Sequence, residues 1–209
     1  MKNAKELIYY AAKAPSGHNS QPWKFKIKEN TIEIHPDFNC ALPIVDPDHR
    51  ELFISLGCAT QNIGIAASHF GYEYHWEIKQ NLQGNYYIIT TFNESKTIIK
   101  ESLFKFIEKR QTNRSVYNGK SVDNEVITQL QTMVDKGNIS IYYFQNGEPY
   151  FQTIKDAIRK GNETQMNDAK FKKELLNWIR FNKKEVNTLQ NGLTYKVMGS
   201  PPTPRFIGK

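Results

Sequence analysis

The sequence is poor in cysteine and has no long apolar run. Its two cysteines, Cys40 and Cys58, lack CxxC spacing. One disulfide is possible, but we expect two buried free thiols in a reducing cytosol. The apolar runs are shorter than the roughly 18 residues that span a bilayer, and the N-terminus has no apolar signal-peptide segment. These absences predict a cytoplasmic protein that does not insert into a membrane.

Motifs of several enzyme classes are also absent. The sequence contains no Walker A loop, GxGxxG, GxSxG or HExxH pattern. Its five histidines show no metal-ligand spacing with carboxylates or thiols. We therefore expect neither a metal site nor a hydrolytic triad, and the sequence indicates no catalytic side chain.

Positive charge is concentrated near the C-terminus. The chain has a formal net charge of +7, and residues 151–209 hold 12 basic and 5 acidic residues, which accounts for the whole excess. A basic helix can bind nucleic acid or an anionic membrane, but it is more often a solvated face. We expect neither partner, although this charge would also attract an anionic cofactor or substrate.

Hydrophobic patterns predict an α+β fold. Apolar residues alternate with lysine over residues 23–27, and the alternation continues over 32–34, which is typical of a hairpin. Residues 72–79 and 85–92 form a second predicted strand pair. A capping aspartate and a proline begin a long apolar helix over 46–71. We expect a mainly antiparallel sheet flanked by helices around this long central helix.

Other elements are predicted from shorter patterns. They are helices over 4–13, over 97–109 and from Ser121, a strand over 139–144, mostly helical structure over 149–185 with breaks near Gly161 and Asn167-Asp168, and an extended tail over 199–204.

A polar loop over residues 14–23 separates the first predicted helix from the first strand. Its sequence is Ala-Pro-Ser-Gly-His-Asn-Ser-Gln-Pro-Trp. Ser, Gly and Asn also bend chains for local reasons, so a simple turn is one interpretation. The other is a cradle whose hydroxyl, amide and backbone N–H groups bind the carbonyls and ring nitrogens of a planar heterocycle.

A second polar segment, Arg110-Gln-Thr-Asn-Arg114, follows a predicted helix. A guanidinium group suits phosphate oxygens, and a threonine hydroxyl can add a hydrogen bond. The alternative is a solvated basic turn at a helix C-terminus, where positive charge is favourable in any case.

Together, these segments resemble the nitroreductase-like FMN oxidoreductases. Residues 14–23 are similar to the family's APS-xx-NxQPW signature, and residues 110–114 are similar to its R-x-S/T-x-R phosphate motif. Residues 46–71 and the closing segment 198–204 resemble the Acg-type branch. The resemblance covers essentially the whole chain and implies a nitroreductase-like fold.

This resemblance implies a flavin enzyme. FMN would carry the redox chemistry, NAD(P)H would donate electrons, and a nitro, quinone or similar small molecule would accept them. The implied cofactor-binding residues are Pro15, Ser16, Gly17, Asn19 and Gln21 at the ring edge, and Arg110, Thr112 and Arg114 at the phosphate.

The order of the two motifs differs from the typical family pattern, in which the phosphate motif comes first. Typical members are homodimers that share FMN between subunits, whereas the Acg-type branch fuses two halves in one chain. The resemblance therefore implies either a homodimer or an intrachain pseudo-dimer. Residues 1–95 would form the first half, and residues 96–209 would begin the second half within one unit.

Members of this branch normally continue beyond a segment like residues 198–204. The present sequence ends at Lys209, so we expect a fragment, a truncated form or a short natural variant. The alternative function is therefore an FMN-binding or flavin-sequestering protein with little or no turnover.

Overall fold

The computed structural model of the chain describes residues 1–114, 116–134 and 140–208. The described chain is α+β and divides into two units. The first unit comprises Met1–Asn113 and Lys173–Lys209, and the second comprises Arg114–Lys172. The predicted division into sequence halves, 1–95 and 96–209, stays a prediction.

A four-stranded antiparallel sheet lies in the first unit. Its strands are β1 (Trp23–Lys28), β2 (Thr31–Pro36), β3 (Tyr72–Gln80) and β4 (Tyr86–Glu94), in the spatial order β1-β2-β4-β3. Both predicted hairpins are confirmed, and β2 pairs with β4 to join them. Alternation places one apolar row of each strand on the same face of the sheet.

Two helices, α1 (Ala4–Ala11) and α2 (Arg50–His69), pack on the buried part of this face. Leu7 of α1 and Leu56 of α2 are fully buried, together with Ile32 and Ile34 of β2 and Ile63 of α2. The predicted long helix is therefore present as α2, and it packs against both α1 and the sheet.

The start of α2 differs from the prediction. The helix begins at Arg50, because His49 has left-handed backbone geometry with a φ of 59°. Asp46 nevertheless caps it from a distance, since its Oδ1 accepts a hydrogen bond from the Glu51 N–H and its Oδ2 accepts one from the Leu52 N–H, both at 2.9 Å. These bonds satisfy two of the N–H groups that a helix start leaves without partners.

The predicted helix over 97–109 is wrong, because only a 3₁₀ helix over Ser102–Phe106 forms there. The Phe104 ring stacks on His69 with centroids 3.7 Å apart, and it lies edge-on to Tyr10 at 4.8 Å. Tertiary aromatic packing thus overrides the helical pattern of this segment.

Four predictions concern the second unit. Helix α3 (Asn124–Val134) begins three residues after the predicted cap at Ser121, and helix α4 (Pro149–Asn167) continues without a break through Gly161. The break at Asp168 is confirmed. The strand prediction is wrong for 140–144, for which no ladder partner exists among the described residues, and Ile139 lies outside them.

The C-terminal part of the first unit contains short elements. They are α5 (Ala169–Trp178, which begins in the second unit), β5 (Ile179–Arg180), α6 (Lys183–Leu189), β6 (Leu193–Thr194) and α7 (Arg205–Gly208). β5 pairs in parallel with β6. The Glu174 carboxylate of α5 accepts hydrogen bonds from the Ile44 and Val45 N–H groups at 3.0 Å, which anchors the loop before α2.

Helices long and apolar enough to cross a membrane are absent from the described ranges. Within those ranges, no three histidine, cysteine or acidic side chains are grouped so that they could hold a metal ion.

Candidate functional site

The loop over residues 14–23 connects α1 to β1 in a tight, internally bonded conformation. Ser16 Oγ accepts a hydrogen bond from the Gln21 N–H at 3.0 Å, and the Ser16 carbonyl accepts one from the Asn19 N–H at 2.9 Å. His18, Asn19 and Gln21 all have positive φ values, between 49° and 53°. Asparagine tolerates this geometry better than most residues, so the loop composition suits its shape.

The back of this loop packs against the start of α2. A Cβ atom at Gly17 would lie 2.9 Å from Glu51 Oε2 and 3.1 Å from Leu42 Cδ1. Glycine therefore allows the loop to approach the helix closely. The cavity between them is only about 10 Å³, so this side of the loop has no room for an organic ligand.

A distant turn, residues 190–192, holds the side of the loop. Asn19 Nδ2 donates a hydrogen bond to the Gly192 carbonyl at 3.2 Å, and Gln21 Nε2 donates one to the Gln190 carbonyl at 2.7 Å. The Gly192 N–H in turn donates to the Asn19 carbonyl at 3.0 Å. Two of the predicted cofactor residues are thus fixed by one segment near the C-terminus.

The side chain of Arg180 holds the 190–192 turn in place through hydrogen bonds. Its Nε donates to the Asn191 carbonyl at 3.0 Å, its Nη2 to Asn191 Oδ1 at 2.7 Å, and its Nη1 to the Asn177 carbonyl at 2.7 Å. Burial lowers the pKa of Arg180, the Arg205 charge adds to this effect, and Glu185 opposes it. The expectation of a solvated basic face is wrong for Arg180, which is 5% exposed.

Gly192 is the residue of the turn with the tightest steric requirement. Its φ is 79°, and a Cβ atom there would meet the Trp178 carbonyl oxygen and the Arg180 guanidinium. This turn is not among the site residues that the sequence predicts. Its Asn-Gly dipeptide is a turn signal, but nothing local indicates which loop the turn contacts.

The Arg110–Arg114 segment begins beside α1, the helix that leads into the 14–23 loop. Tyr9 Oη donates a hydrogen bond to Glu108 Oε1 at 2.6 Å, and this bond raises the pKa of Tyr9. Among the described residues, the exposed side chains of Arg110 and Thr112 make no hydrogen bond or ion pair. Arg114 falls in the second unit. The phosphate-binding roles of all three stay predictions, as do the flavin contacts of the loop.

No family model matches the chain. Comparison with known proteins gives relatives that are named as NAD(P)H nitroreductases. "Putative NAD(P)H nitroreductase Rv3131" of Mycobacterium tuberculosis is 31% identical over 80 residues, covering 38% of this chain and 22% of the relative. "Probable NAD(P)H nitroreductase PigM" of a Serratia strain is 23% identical over 189 residues, covering 87% of this chain and 52% of the relative.

A third relative is "Putative NAD(P)H nitroreductase acg" of M. tuberculosis, 30% identical over 67 residues, covering 32% of this chain and 20% of the relative. The matches span at most about half the length of these relatives. Their names agree with the resemblance that the motifs of residues 14–23 and 110–114 indicate. The relatives, Acg among them, therefore support a nitroreductase-like family for this chain.

Proposed function

We propose that the chain is an FMN-dependent oxidoreductase that reduces nitro, quinone or similar small acceptors with NAD(P)H. The observation that carries this proposal is the ordered 14–23 loop, whose polar side chains are held in place by the 190–192 turn. The names of the relatives support the same reaction class.

The donor set of the loop fits a flavin ring edge in its chemistry. In the described structure, Asn19 and Gln21 each use one side-chain N–H in the fold, at 3.2 and 2.7 Å. Each amide therefore keeps a second N–H and a carbonyl oxygen, and a flavin ring presents both acceptors and an N–H donor. Ser16 adds a hydroxyl group that already orients the loop through Gln21 N–H.

The proposed roles of the protein are binding and orientation. Bound FMN supplies the transfer of electrons from NAD(P)H to the acceptor. Pro15, Ser16, Gly17, Asn19 and Gln21 would hold the ring edge, and Arg110, Thr112 and Arg114 would hold the phosphate. No side chain of the chain has to act as an acid or base in this scheme.

Two experiments test this proposal. Oxidation of NADH and NADPH is measured with FMN and a nitroaromatic acceptor, and acceptor-dependent turnover is expected. Retention of FMN without turnover would instead favour the flavin-sequestering alternative.

The second experiment is an FMN titration of Arg110→Ala beside Lys105→Ala, a basic residue in the preceding 3₁₀ helix. Loss of one charged hydrogen bond to phosphate should weaken binding roughly tenfold in the arginine variant only. Equal affinities would contradict the phosphate assignment.

A further inference from the structure

A second site in the first unit is large enough for a ligand. A cleft of about 340 Å³ lies between α6 and residues 194–196, the first of which belongs to β6. Its lining residues are Lys183, Val186, Asn187, Thr194, Tyr195 and Lys196. Ligand pockets commonly measure about 300–1,000 Å³, so the cleft falls within the usual range, whereas the cavity behind the 14–23 loop does not.

The cleft carries two positive charges, those of Lys183 and Lys196. Neither Lys183 nor Lys196 forms an ion pair within the described part of the chain. Glu185, the single acidic residue between positions 179 and 208, is already engaged. Its Oε2 accepts hydrogen bonds from Arg205 Nη1 at 3.2 Å and from the Phe181 N–H at 3.0 Å.

The remaining lining groups suit an aromatic ligand that carries phosphate. Tyr195 is half-buried and offers a ring surface, while Asn187 offers amide donors. Thr194 Oγ1 accepts a hydrogen bond from the Val197 N–H at 3.2 Å, which leaves its own hydroxyl hydrogen available to donate. A nucleotide combines the two features that this lining recognises, a planar ring and a phosphate group.

The two walls of the cleft are connected by the 190–192 turn. α6 ends at Leu189 and β6 begins at Leu193, so this turn joins one wall to the other. Asn19 and Gln21 bind the same turn through their side chains. The 190–192 turn therefore contacts the proposed cofactor loop and also joins the two walls of the cleft.

We propose that this cleft binds the phosphate group of a nucleotide ligand through Lys183 and Lys196. The inference rests on the proposed function for the source of that phosphate, which is the NAD(P)H donor, because the proposed function already places the phosphate of FMN at Arg110, Thr112 and Arg114. The binding of phosphate by Lys183 and Lys196 does not depend on the proposed function.

The test compares three single variants of the full chain, Lys183→Gln, Lys196→Gln and the control Lys184→Gln. Lys184 is an exposed residue of α6 that does not line the cleft. Binding of inorganic pyrophosphate, FMN and NADPH is measured for each variant by calorimetry. Circular dichroism verifies that the fold is unchanged.

We expect pyrophosphate binding to weaken roughly three- to tenfold in the two cleft variants and less than about twofold in the control. NADPH affinity should weaken in parallel, whereas FMN affinity should stay unchanged. A parallel loss of FMN affinity instead would overturn the donor as the source of the phosphate. Pyrophosphate affinities that match the control in both cleft variants would overturn the inference.

The outcomes also separate the two proposals. If FMN is retained but the cleft variants behave as the control, the proposed phosphate site in the cleft is wrong and the proposed flavin function is kept. If FMN is not retained but pyrophosphate binding still requires both lysines, the phosphate site in the cleft is supported and the proposed flavin function is wrong.

Discussion

The two units differ in how much apolar surface they bury. In the first unit, Leu7, Leu56 and Ile63 are fully buried between the helices and the sheet. In the second unit, no described residue is buried, and Ile158 of α4 is 59% exposed. The first unit therefore has a hydrophobic core, whereas the described part of the second consists of helices with solvent-facing apolar side chains.

This difference shows what a helical pattern can and cannot determine. Ile154 and Ile158 are four residues apart, so they share one face of α4. The periodicity correctly predicts a helix there, but burial depends on what packs against its apolar face. Most helical stability in proteins comes from such packing, so we expect mutations in the two units to have different effects.

The largest expected difference comes from truncating an apolar side chain in each unit. Leu56→Ala should lower the free energy of unfolding by about 2–5 kcal/mol, because it leaves a cavity in a closed core. Ile158→Ala should change it by about 0.5 kcal/mol or less. The measurement is urea unfolding followed by far-ultraviolet circular dichroism, because both units contain helices that contribute to this signal. Similar losses in both variants would contradict the comparison.

The next effect changes sign between the units. Gly192→Ala should destabilise the first unit by about 1–3 kcal/mol, because alanine is strained at a φ of 79° and its Cβ would collide with the Trp178 carbonyl. Gly161→Ala should stabilise α4 by about 1 kcal/mol, since a Cβ there meets no atom. Amide exchange should become faster over residues 190–192 in the first variant and slower over α4 in the second. Changes of the same sign would refute this prediction.

A smaller effect concerns the start of α2. Asp46→Ala removes the acceptors of two helix N–H groups and should cost about 1–2 kcal/mol. Asp48→Ala is the matched control, because Asp48 accepts a single long bond of 3.4 Å from the Arg50 N–H. Thermal unfolding of both variants decides the point. A control that loses as much stability as Asp46→Ala would show that the Asp46 bonds are not the cause.

The smallest predicted effect is a pH dependence of the first unit. Burial alone would raise the pKa of Glu33, but Lys28, His35 and Lys26 outweigh burial and lower it. Lys28 Nζ lies 2.6 Å from the carboxylate and His35 Nε2 lies 2.8 Å from it. A carboxyl group whose folded pKa is lowered stabilises the fold above the unfolded value of about 4.3. This contribution is lost as pH falls through the folded pKa.

Urea unfolding at several pH values tests this assignment with Glu33→Gln, which cannot ionise. The wild type should lose more stability than the variant between pH 6 and pH 3. Parallel stability curves for the two proteins would show that Glu33 contributes nothing to the acid sensitivity.

The parts of the fold that the sequence predicts well are those determined by local patterns. Both hairpins follow from alternation, as in Trp23, Phe25 and Ile27, and α2 follows from its apolar period and the capping residue Asp46. The helix over 97–109 failed because Phe104 is held by stacking on His69, a contact between segments that are distant in sequence.

The candidate site divides in the same way. The 14–23 loop could be recognised because its polar residues are contiguous in the sequence. The contact of Gln21 with Gln190 could not, because no local pattern links residues 169 positions apart. In the sequence, Arg180 is one of many cationic residues near the C-terminus. Only its burial and its hydrogen bond to Asn191 show that it holds the 190–192 turn in place.

The most direct test of the proposed flavin site is the visible absorption spectrum of the purified protein after incubation with FMN and gel filtration. Flavin absorbance that elutes with the protein is the result that we predict, because the 14–23 loop supplies an ordered set of donors and acceptors. Elution of a colourless protein, with all FMN in the small-molecule fraction, would contradict the proposed flavin site.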